Sequence, residues 1–187
     1  MRITVPAYAL EGNLERYRAY PSWYSSPLSY DVTSQLANYD SIWLSPILIA
    51  KQTTVTKMGI QVMNLGADMA RVGIYGTSVN MKPYNLIQDA GEMDISTIGY
   101  KQITGLSIIL LPITLYWTAL LIKTTAAYLA CMAKSDALGI MGSNAGGAVV
   151  NTMWEYDQAY GALPATLTEV ALNNRQNYPP CVGMYFT

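Results

Sequence analysis

Closely spaced carboxylates are the first residues in this sequence that could do chemistry. Asp89, Glu92 and Asp94 lie within six residues around Gly91, where such groups could bind calcium or supply an acid and a base. The segment lacks the dense oxygen ligands of a calcium-binding loop. The alternative interpretation is a hairpin with its carboxylates in water, and we expect neither a metal nor a cofactor here.

A second group of carboxylates lies among aromatic residues in the run WEYDQAY. Trp154, Tyr156 and Tyr160 could stack against a sugar ring while a neighbouring carboxylate bonds its hydroxyl groups. Glu155 with Asp157 is the pair that would suit a glycosidase using two carboxylates. The alternative is a half-buried edge strand or a short helix whose carboxylates lie in water.

Several classes of enzyme are excluded because the 187 residues contain no histidine. Ser-His-Asp and Cys-His nucleophile systems, HExxH zinc sites and zinc fingers with histidine ligands all need an imidazole. The glycine-rich run 139–147 has no Gly-Lys-Ser/Thr ending, so we interpret it as a surface loop. Cys131 and Cys181 match no metal spacing, and we expect free thiols. We predict no catalytic residue and no enzymatic activity.

The composition is typical of a packed protein with little surface charge. Hydrophobic residues make up 51% of the chain and charged residues 12%, about half the usual charged share of roughly 25%. This balance excludes a wholly disordered chain, and a net charge of −1 gives no electrostatic basis for binding nucleic acid. Tyrosine occurs 15 times against one phenylalanine, and tyrosine is enriched in protein interfaces. An ordinary tyrosine-rich core remains the alternative, but the low charge favours a subunit buried in an assembly.

One apolar stretch, residues 106–122, is long enough to raise the question of a membrane helix. Its 17 residues are at the lower limit for a spanning helix, and Pro112 falls in its middle. Its β-branched and aromatic residues predict two buried strands flanking a turn instead. The apolar run at the N-terminus is broken by Pro6 and ends at Glu11, which is too short for a signal-peptide core. We therefore expect no membrane partner.

Residues 46–187 are predicted to form an all-β domain. Short runs with alternating or β-branched residues recur between turn signals, at 53–63, 70–75, 86–90, 100–103, 107–111, 113–122, 126–131 and, as a closing strand, 178–186. Strands at such regular intervals indicate a jelly-roll-like antiparallel β-sandwich rather than βαβ units.

Residues 1–45 are predicted to form an extended N-terminal arm for inter-subunit anchoring. Three prolines in this range prevent long regular elements, and only residues 12–20 could form a short helix. Cations alternate with aromatic rings in the arm, which suits stacking against a partner protein, although two clustered cations are too few for a nucleic-acid patch. The predicted partner-binding residues are Arg16, Tyr17, Arg18, Tyr20, Trp23 and Tyr24.

The middle of the chain resembles a pattern found in tailed-bacteriophage structural proteins. In that pattern an RxGIY strand is followed by P…L(I/V)xDAG and (S/T)xxGxK, and then by a leucine-rich strand ending YWLA. The corresponding runs here are ARVGIY at 70–75, Pro83 with NLI at 85–87, DAG at 89–91, ISTIGYK at 95–101 and LYWTAL at 115–120. The sequence departs from the pattern before the Tyr-Trp strand, where Pro112, Ile113 and Thr114 replace the usual glycine turn.

The resemblance implies a jelly-roll module of phage tail-fibre, baseplate and capsid-attached proteins, which are commonly trimers and serve display, adhesion or stapling. We therefore expect a virion protein, assembled in the host cytoplasm as a homotrimer. Our first hypothesis is a capsid decoration or cement protein that binds the major capsid protein or other virion subunits through its arm. The second is a tail, neck or fibre module that binds a host glycan through Trp154, Tyr156 and Tyr160. A polysaccharide-cleaving enzyme using Glu155 and Asp157 is the third.

Overall fold

The computed structural model describes residues 22–25, 32–36, 40–64, 69–123, 128–132, 152–175 and 178–187. Within these ranges the chain forms twelve strands and one short 3-10 helix, Glu169–Ala171. The strands are β1 (Ser22–Ser25), β2 (Val32–Leu36), β3 (Ser41–Ile49), β4 (Thr53–Asn64), β5 (Met69–Thr77), β6 (Pro83–Asp94), β7 (Gly99–Leu110), β8 (Thr114–Ile122), β9 (Tyr128–Met132), β10 (Met153–Asp157), β11 (Leu172–Arg175) and β12 (Gly183–Phe186).

The strands pair in two antiparallel sheets. Sheet A is built around β4, which pairs with β7 along one edge and with β12 and then β9 along the other. Strand β1 pairs with β12, and β2 pairs with β9. Sheet B has the order β11-β10-β3-β8-β5-β6. The chain crosses from one sheet to the other between successive strands, since β3 and β5 lie in sheet B and β4 lies in sheet A.

The main core lies between the two sheets. Every second residue of β4 on either side of a bulge, with Val55 before it and Met58 and Ile60 after it, faces buried residues of sheet B such as Val72 and Leu120. This alternation is the period of two that places one face of a strand against a core. The prediction of an all-β antiparallel sandwich is confirmed.

A second core covers the opposite face of sheet B. Residues 158–171, which we call the strap, connect β10 to β11 and place Leu163 and Leu167 against Leu44 and Trp117. Sheet B is therefore buried on both faces. This explains why β8 is a continuous apolar run rather than an alternating one.

Residues 106–122 form two strands flanking a turn, as predicted. Strand β7 ends at Leu110 and β8 begins at Thr114. In the described part of the chain no helix has the length and apolar character needed to cross a membrane.

The prediction of two separate strands at 100–103 and 107–111 was wrong. Strand β7 is continuous, and the irregularity at Gly105, which has φ +77°, is absorbed by a register shift against β4 between Val55 and Lys57. The predicted closing strand is also shorter than expected. It begins at Gly183 instead of at the prolines, because proline has no N–H to donate to a ladder.

Strand β3 was not predicted because Pro46 interrupts its apolar run. Proline is tolerated here because β10 pairs with β3 only as far as Leu44, so Pro46 lies where β8 is the one paired neighbour in the described residues. The boundary placed between the arm and the sandwich at residue 45 falls inside β3. Strands β1 and β2 also belong to the range 1–45 and pair within sheet A.

Several residues singled out in the sequence lie outside the described ranges. These are Arg16, Tyr17, Arg18 and Tyr20 of the predicted arm, and the glycine-rich run 139–147. Trp23 and Tyr24 lie in β1, where the register places them opposite Tyr185 and Met184 of β12.

Candidate functional site

Arg71 of β5 binds members of the acidic group, Asp89, Glu92 and Asp94, which lies on β6 at the edge of sheet B. The β5–β6 register places Arg71 opposite Glu92, and Asp89 lies three residues earlier on β6. Arg71 Nη1 donates to Asp89 Oδ2 at 2.7 Å, and Nη2 donates to Glu92 Oε1 at 2.6 Å. Two of the three clustered carboxylates are thus engaged by one guanidinium.

Asp89 also holds the strap. Its Oδ2 accepts the Leu163 N–H at 3.1 Å, and its Oδ1 accepts the Gly91 N–H at 3.0 Å. Asp94, the third member of the group, accepts the Ser96 N–H at 2.8 Å. Hydrogen bonds from the Ser96 hydroxyl and backbone hold the pKa of Asp94 below its ordinary value. The described ranges contain no group of three side chains able to hold a metal ion.

Other residues of the sequence pattern contact the same strap. The Tyr75 hydroxyl donates to Pro164 O at 2.8 Å. Burial, together with the nearby Asp89 carboxylate, raises the pKa of Tyr75. A Cβ added to Gly73 would collide with Leu163 and lie 2.7 Å from Gln88 O, so glycine is required for this close approach.

The Tyr-Trp segment of β8 contacts β5 in the same region. Trp117 Nε1 donates to Thr77 Oγ1 at 3.0 Å, and Thr77 Oγ1 donates to Leu115 O at 2.5 Å. The runs ARVGIY, DAG and LYWTAL therefore meet around one structural element, the face of sheet B that lies under the strap.

The aromatic residues proposed to bind sugar lie beside the strap. Trp154 and Tyr156 alternate along β10 and so share a face, and both pack with Tyr160 against the second core. All three side chains are half-buried. The structure thus brings the three residues together, as parts of a packed cluster.

The Lys82 ammonium group lies against the aromatic cluster of Trp154, Tyr156 and Tyr160. Lys82 Nζ lies 5.1 Å from the centroid of the Trp154 ring, within the range of a cation–π interaction. Trp154 Nε1 is buried without a hydrogen-bond partner among the described residues. The rings could still contact a ligand at their exposed edges, but burial and Lys82 reduce the area available for stacking.

Glu155 points to the other side of sheet B. It is 2% exposed, lies opposite Trp43 in β3, and accepts a hydrogen bond from Arg175 Nε. Asp157, at the end of β10, is exposed. Glu155 is therefore committed to an ion pair with Arg175, whose side chain is 46% exposed. Sequence reasoning missed Arg175 because the pairing of β10 with β11 brings it there from 20 positions away.

The outer face of sheet A carries tyrosines that include Tyr185 on β12, beside β1, and Tyr100 on β7. Lys57 Nζ lies 4.8 Å from the centroid of the Tyr185 ring. Tyr100 covers Gly59, where an added Cβ would lie 2.5 Å from the Tyr100 hydroxyl oxygen. Burial raises the pKa of Tyr100. Trp23 of the predicted arm lies opposite Tyr185 in the β1–β12 register, so this predicted partner-binding residue continues the same sheet.

The two cysteines are close in the fold but are not joined in a disulfide. Cys131 lies opposite Pro180 in an antiparallel bridge, and the Cys181 N–H donates to Ala130 O at 3.0 Å. Burial raises the pKa of Cys181 to about 11, which suppresses its reactivity at neutral pH.

No protein-family model matches the sequence, and a search of curated proteins finds no match.

Proposed function

We propose that this chain is a non-enzymatic structural protein of a tailed-phage virion, a decoration or cement protein of the capsid. The observation that carries the proposal is the convergence of the sequence pattern on the strap. Arg71, Asp89 and Tyr75 all take part in holding the strap against sheet B. The spacing of the pattern therefore follows from contacts among its parts.

This convergence supports the resemblance to phage structural proteins. Matched residues from three of the runs, among them Tyr75, Asp89 and Trp117, contribute to the packing of the strap on sheet B, as expected if the pattern belongs to a folded module. A fold alone does not fix a function. The structural role rests in addition on the low charge and the tyrosine content, which favour a surface buried in an assembly.

The carboxylates that suggested chemistry have structural partners. Asp89 and Glu92 bind Arg71, and Glu155 binds Arg175. The Arg71 pairs join β5 to β6, and the Glu155–Arg175 pair joins β10 to β11. Asp89 also bonds the strap through the Leu163 N–H. Their role in the fold supports a structural protein over the glycosidase hypothesis.

The proposed partners are the major capsid protein or other virion subunits, with the chain itself a homotrimer. Residues that precede β3, within the range 1–45 first assigned to the arm, would supply the anchor, and the tyrosine-bearing outer face of sheet A would extend it. Lys57 and Tyr185 lie on that face next to β1. Burying such half-apolar surface stabilises an assembly by about 25 cal/mol per Å² of apolar area, less the cost of ordering.

The test is whether the protein is a stoichiometric component of purified particles. Quantitative mass spectrometry of particles banded in a density gradient would give its copy number relative to the major capsid protein. We expect a fixed ratio that survives washing at high salt. A ratio that falls towards zero with each purification step would contradict a structural role.

The alternative proposal is a tail, neck or fibre module that binds a host glycan. It is favoured by the clustering of Trp154, Tyr156 and Tyr160 on one face. A glycan array would test it with the Trp154→Ala variant as the control. Binding by the wild type that this variant loses would support the alternative, and a blank array would leave the cement proposal as the better one.

A further inference from the structure

Exposed aliphatic side chains are concentrated at one end of the sandwich. Among the described residues, twelve large hydrophobic side chains are exposed. Five of these lie in turns at a single end, which we call the apolar end: Val79 (98% exposed), Met81 (57%), Leu111 (55%), Ile113 (71%) and Val170 (93%).

Strand pairing brings these turns together. Strands β5 and β8 pair as far as Tyr75 opposite Trp117, so the turn that follows β5 lies beside the turn that precedes β8. Asn80 Nδ2 donates to Glu169 Oε2 at 2.8 Å, which places the 3-10 helix beside the β5–β6 turn. The apolar end is thus one surface built from three chain segments.

Two of the five residues hold an unfavourable backbone conformation. Met81 has φ +60° and Ile113 has φ +53°, in the left-handed region that normally takes glycine or asparagine. A β-branched residue at such an angle is rare, and conformations of this kind cluster at functional sites. A turn selected for stability alone would not place isoleucine there with its side chain in water.

The turns are also held in a fixed shape. The Ser78 N–H donates to Lys82 O at 2.8 Å, closing the β5–β6 turn. Thr114 Oγ1 donates to Pro112 O at 3.0 Å within the β7–β8 turn. Rigid apolar tips suit a shaped pocket on a protein better than a fluid bilayer.

The charges near the apolar end are mainly positive. Lys51, in the β3–β4 turn beside β8, is exposed, and Lys82 closes the β5–β6 turn. The one acidic side chain in these turns, Glu169, accepts hydrogen bonds from Ser78 and Asn80 that lower its pKa and keep it ionised, so the two lysines and this carboxylate leave the apolar end with one net positive charge. Two copies of this end would bring like charges together, so a second copy is a poorer occupant than a partner with an acidic rim.

We propose that the apolar end docks into an apolar, acidic-rimmed pocket on a neighbouring virion subunit. This inference rests on the proposed function and adds a second contact to the one made by the arm. Met81 and Ile113 would fill the pocket, and Lys51 would face its rim.

The experiment measures binding of the purified full chain to phage particles assembled without it, by co-sedimentation. The test variant is Met81→Asp with Ile113→Asp. Its matched control is Ile98→Asp, which alters an isoleucine 56% exposed in the β6–β7 turn at the opposite end of the sandwich. Circular dichroism checks that each variant is folded. We expect at least tenfold weaker binding for the double variant and no change for the control.

Two further variants separate folding from docking. Ile113→Gly removes the side chain and relieves the positive φ, so we expect an unchanged or higher melting temperature together with weaker binding. Lys51→Glu is expected to weaken binding and reverse its salt dependence.

The outcomes distinguish the two proposals. Wild-type binding that the double variant matches would overturn the docking inference and leave the proposed function standing. Failure of the wild type to bind particles would overturn both. Dimerisation through this end, or flotation of the wild type but not the double variant with phosphatidylglycerol vesicles, would assign the surface to another occupant and overturn the inference.

Discussion

Asp89 joins the strap to sheet B through its carboxylate. Its carboxylate accepts hydrogen bonds from Arg71, Leu163 and Gly91 and so joins β5, β6 and the strap. The Asp89 side chain is 21% exposed and that of Arg71 is 17% exposed. A charged hydrogen bond in such a partly buried place contributes more than an ion pair in water.

We predict that Asp89→Asn lowers the free energy of unfolding by about 2 kcal/mol, because the amide replaces a charged acceptor of three donors with a neutral group. Urea denaturation followed by tryptophan fluorescence would measure the change. The control is Glu92→Gln, whose side chain is 38% exposed and which should cost less than about 0.5 kcal/mol. Equal effects of the two variants would contradict the special role of Asp89.

At the residue scale the sequence indicated the acidic group but not its partner. The group was singled out for metal binding or acid-base chemistry, with a solvated hairpin as the alternative, whereas the structure places it in strand β6 with two of its members bound to Arg71. The partnership with Arg71 could not be predicted because it depends on the β5–β6 register, which shifts at several positions. The partnership with the strap depends on a segment 74 residues further along the chain.

At the scale of elements, the strap covers sheet B through a close approach to β5. Gly73 leaves room for Leu163, and Leu163 with Leu167 completes the second core. The strap also pairs with β6, since the Leu86 N–H donates to Ala165 O at 2.9 Å and the Leu167 N–H donates to Tyr84 O at 2.8 Å. A larger side chain at Gly73 should therefore displace the strap from sheet B.

We predict that Gly73→Ala destabilises the protein by about 2 kcal/mol, because the new methyl group must displace Leu163 and approach the backbone at Gln88. Gly161→Ala, within the strap itself, is the matched control, since the nearest atom to its added Cβ is 4.0 Å away. Thermal denaturation of both variants would measure the difference. An unaltered melting temperature for Gly73→Ala would show that the strap is not packed as described.

Strand prediction succeeded where one face of a strand is buried and failed where other contacts decide. Strand β4 shows the alternation that the sequence displays. Strand β3 carries a proline that its neighbours tolerate, and β10 and β11 are too short to show a pattern. The aromatic cluster was found because its residues are close in sequence, but its burial depends on the distant strap.

At the scale of the whole molecule, the limits of the sandwich differ from those expected. Strand β3 begins at Ser41 and lies between β10 and β8 in sheet B. Its residues Ile42 and Leu44 are fully buried. The sandwich therefore needs residues that the sequence analysis assigned to the arm.

We predict that a chain lacking residues 1–21 folds and that one lacking residues 1–45 does not. The longer deletion removes β1, β2 and the first five residues of β3, and losing even one large buried side chain costs about 2–5 kcal/mol. Circular dichroism and urea denaturation of the two truncated chains would test this. A cooperative, sandwich-like unfolding transition for the longer deletion would show that the arm extends to residue 45 after all.

Alkaline pH should destabilise the fold. Burial raises the pKa of Cys181 from its ordinary value of 9.0 to about 11 and also raises those of Tyr75 and Tyr100. The unfolded chain releases these protons at lower pH than the folded chain, so the stability present below pH 9 is lost as the pH rises towards about 11. Urea midpoints measured from pH 8 to 11 should fall, and the Cys181→Ser variant should show a shallower fall. A midpoint that stays constant across this range would contradict the burial of these groups.

The central claim is that this sandwich is a structural component of a phage particle. Cryo-electron microscopy of intact particles, at a resolution that traces strands, tests it most directly. We expect the two-sheet sandwich with its strap in many copies on the icosahedral shell, with residues from the range 1–45 contacting coat subunits. Particles whose shell, neck and tail contain no density that fits this sandwich would contradict the claim.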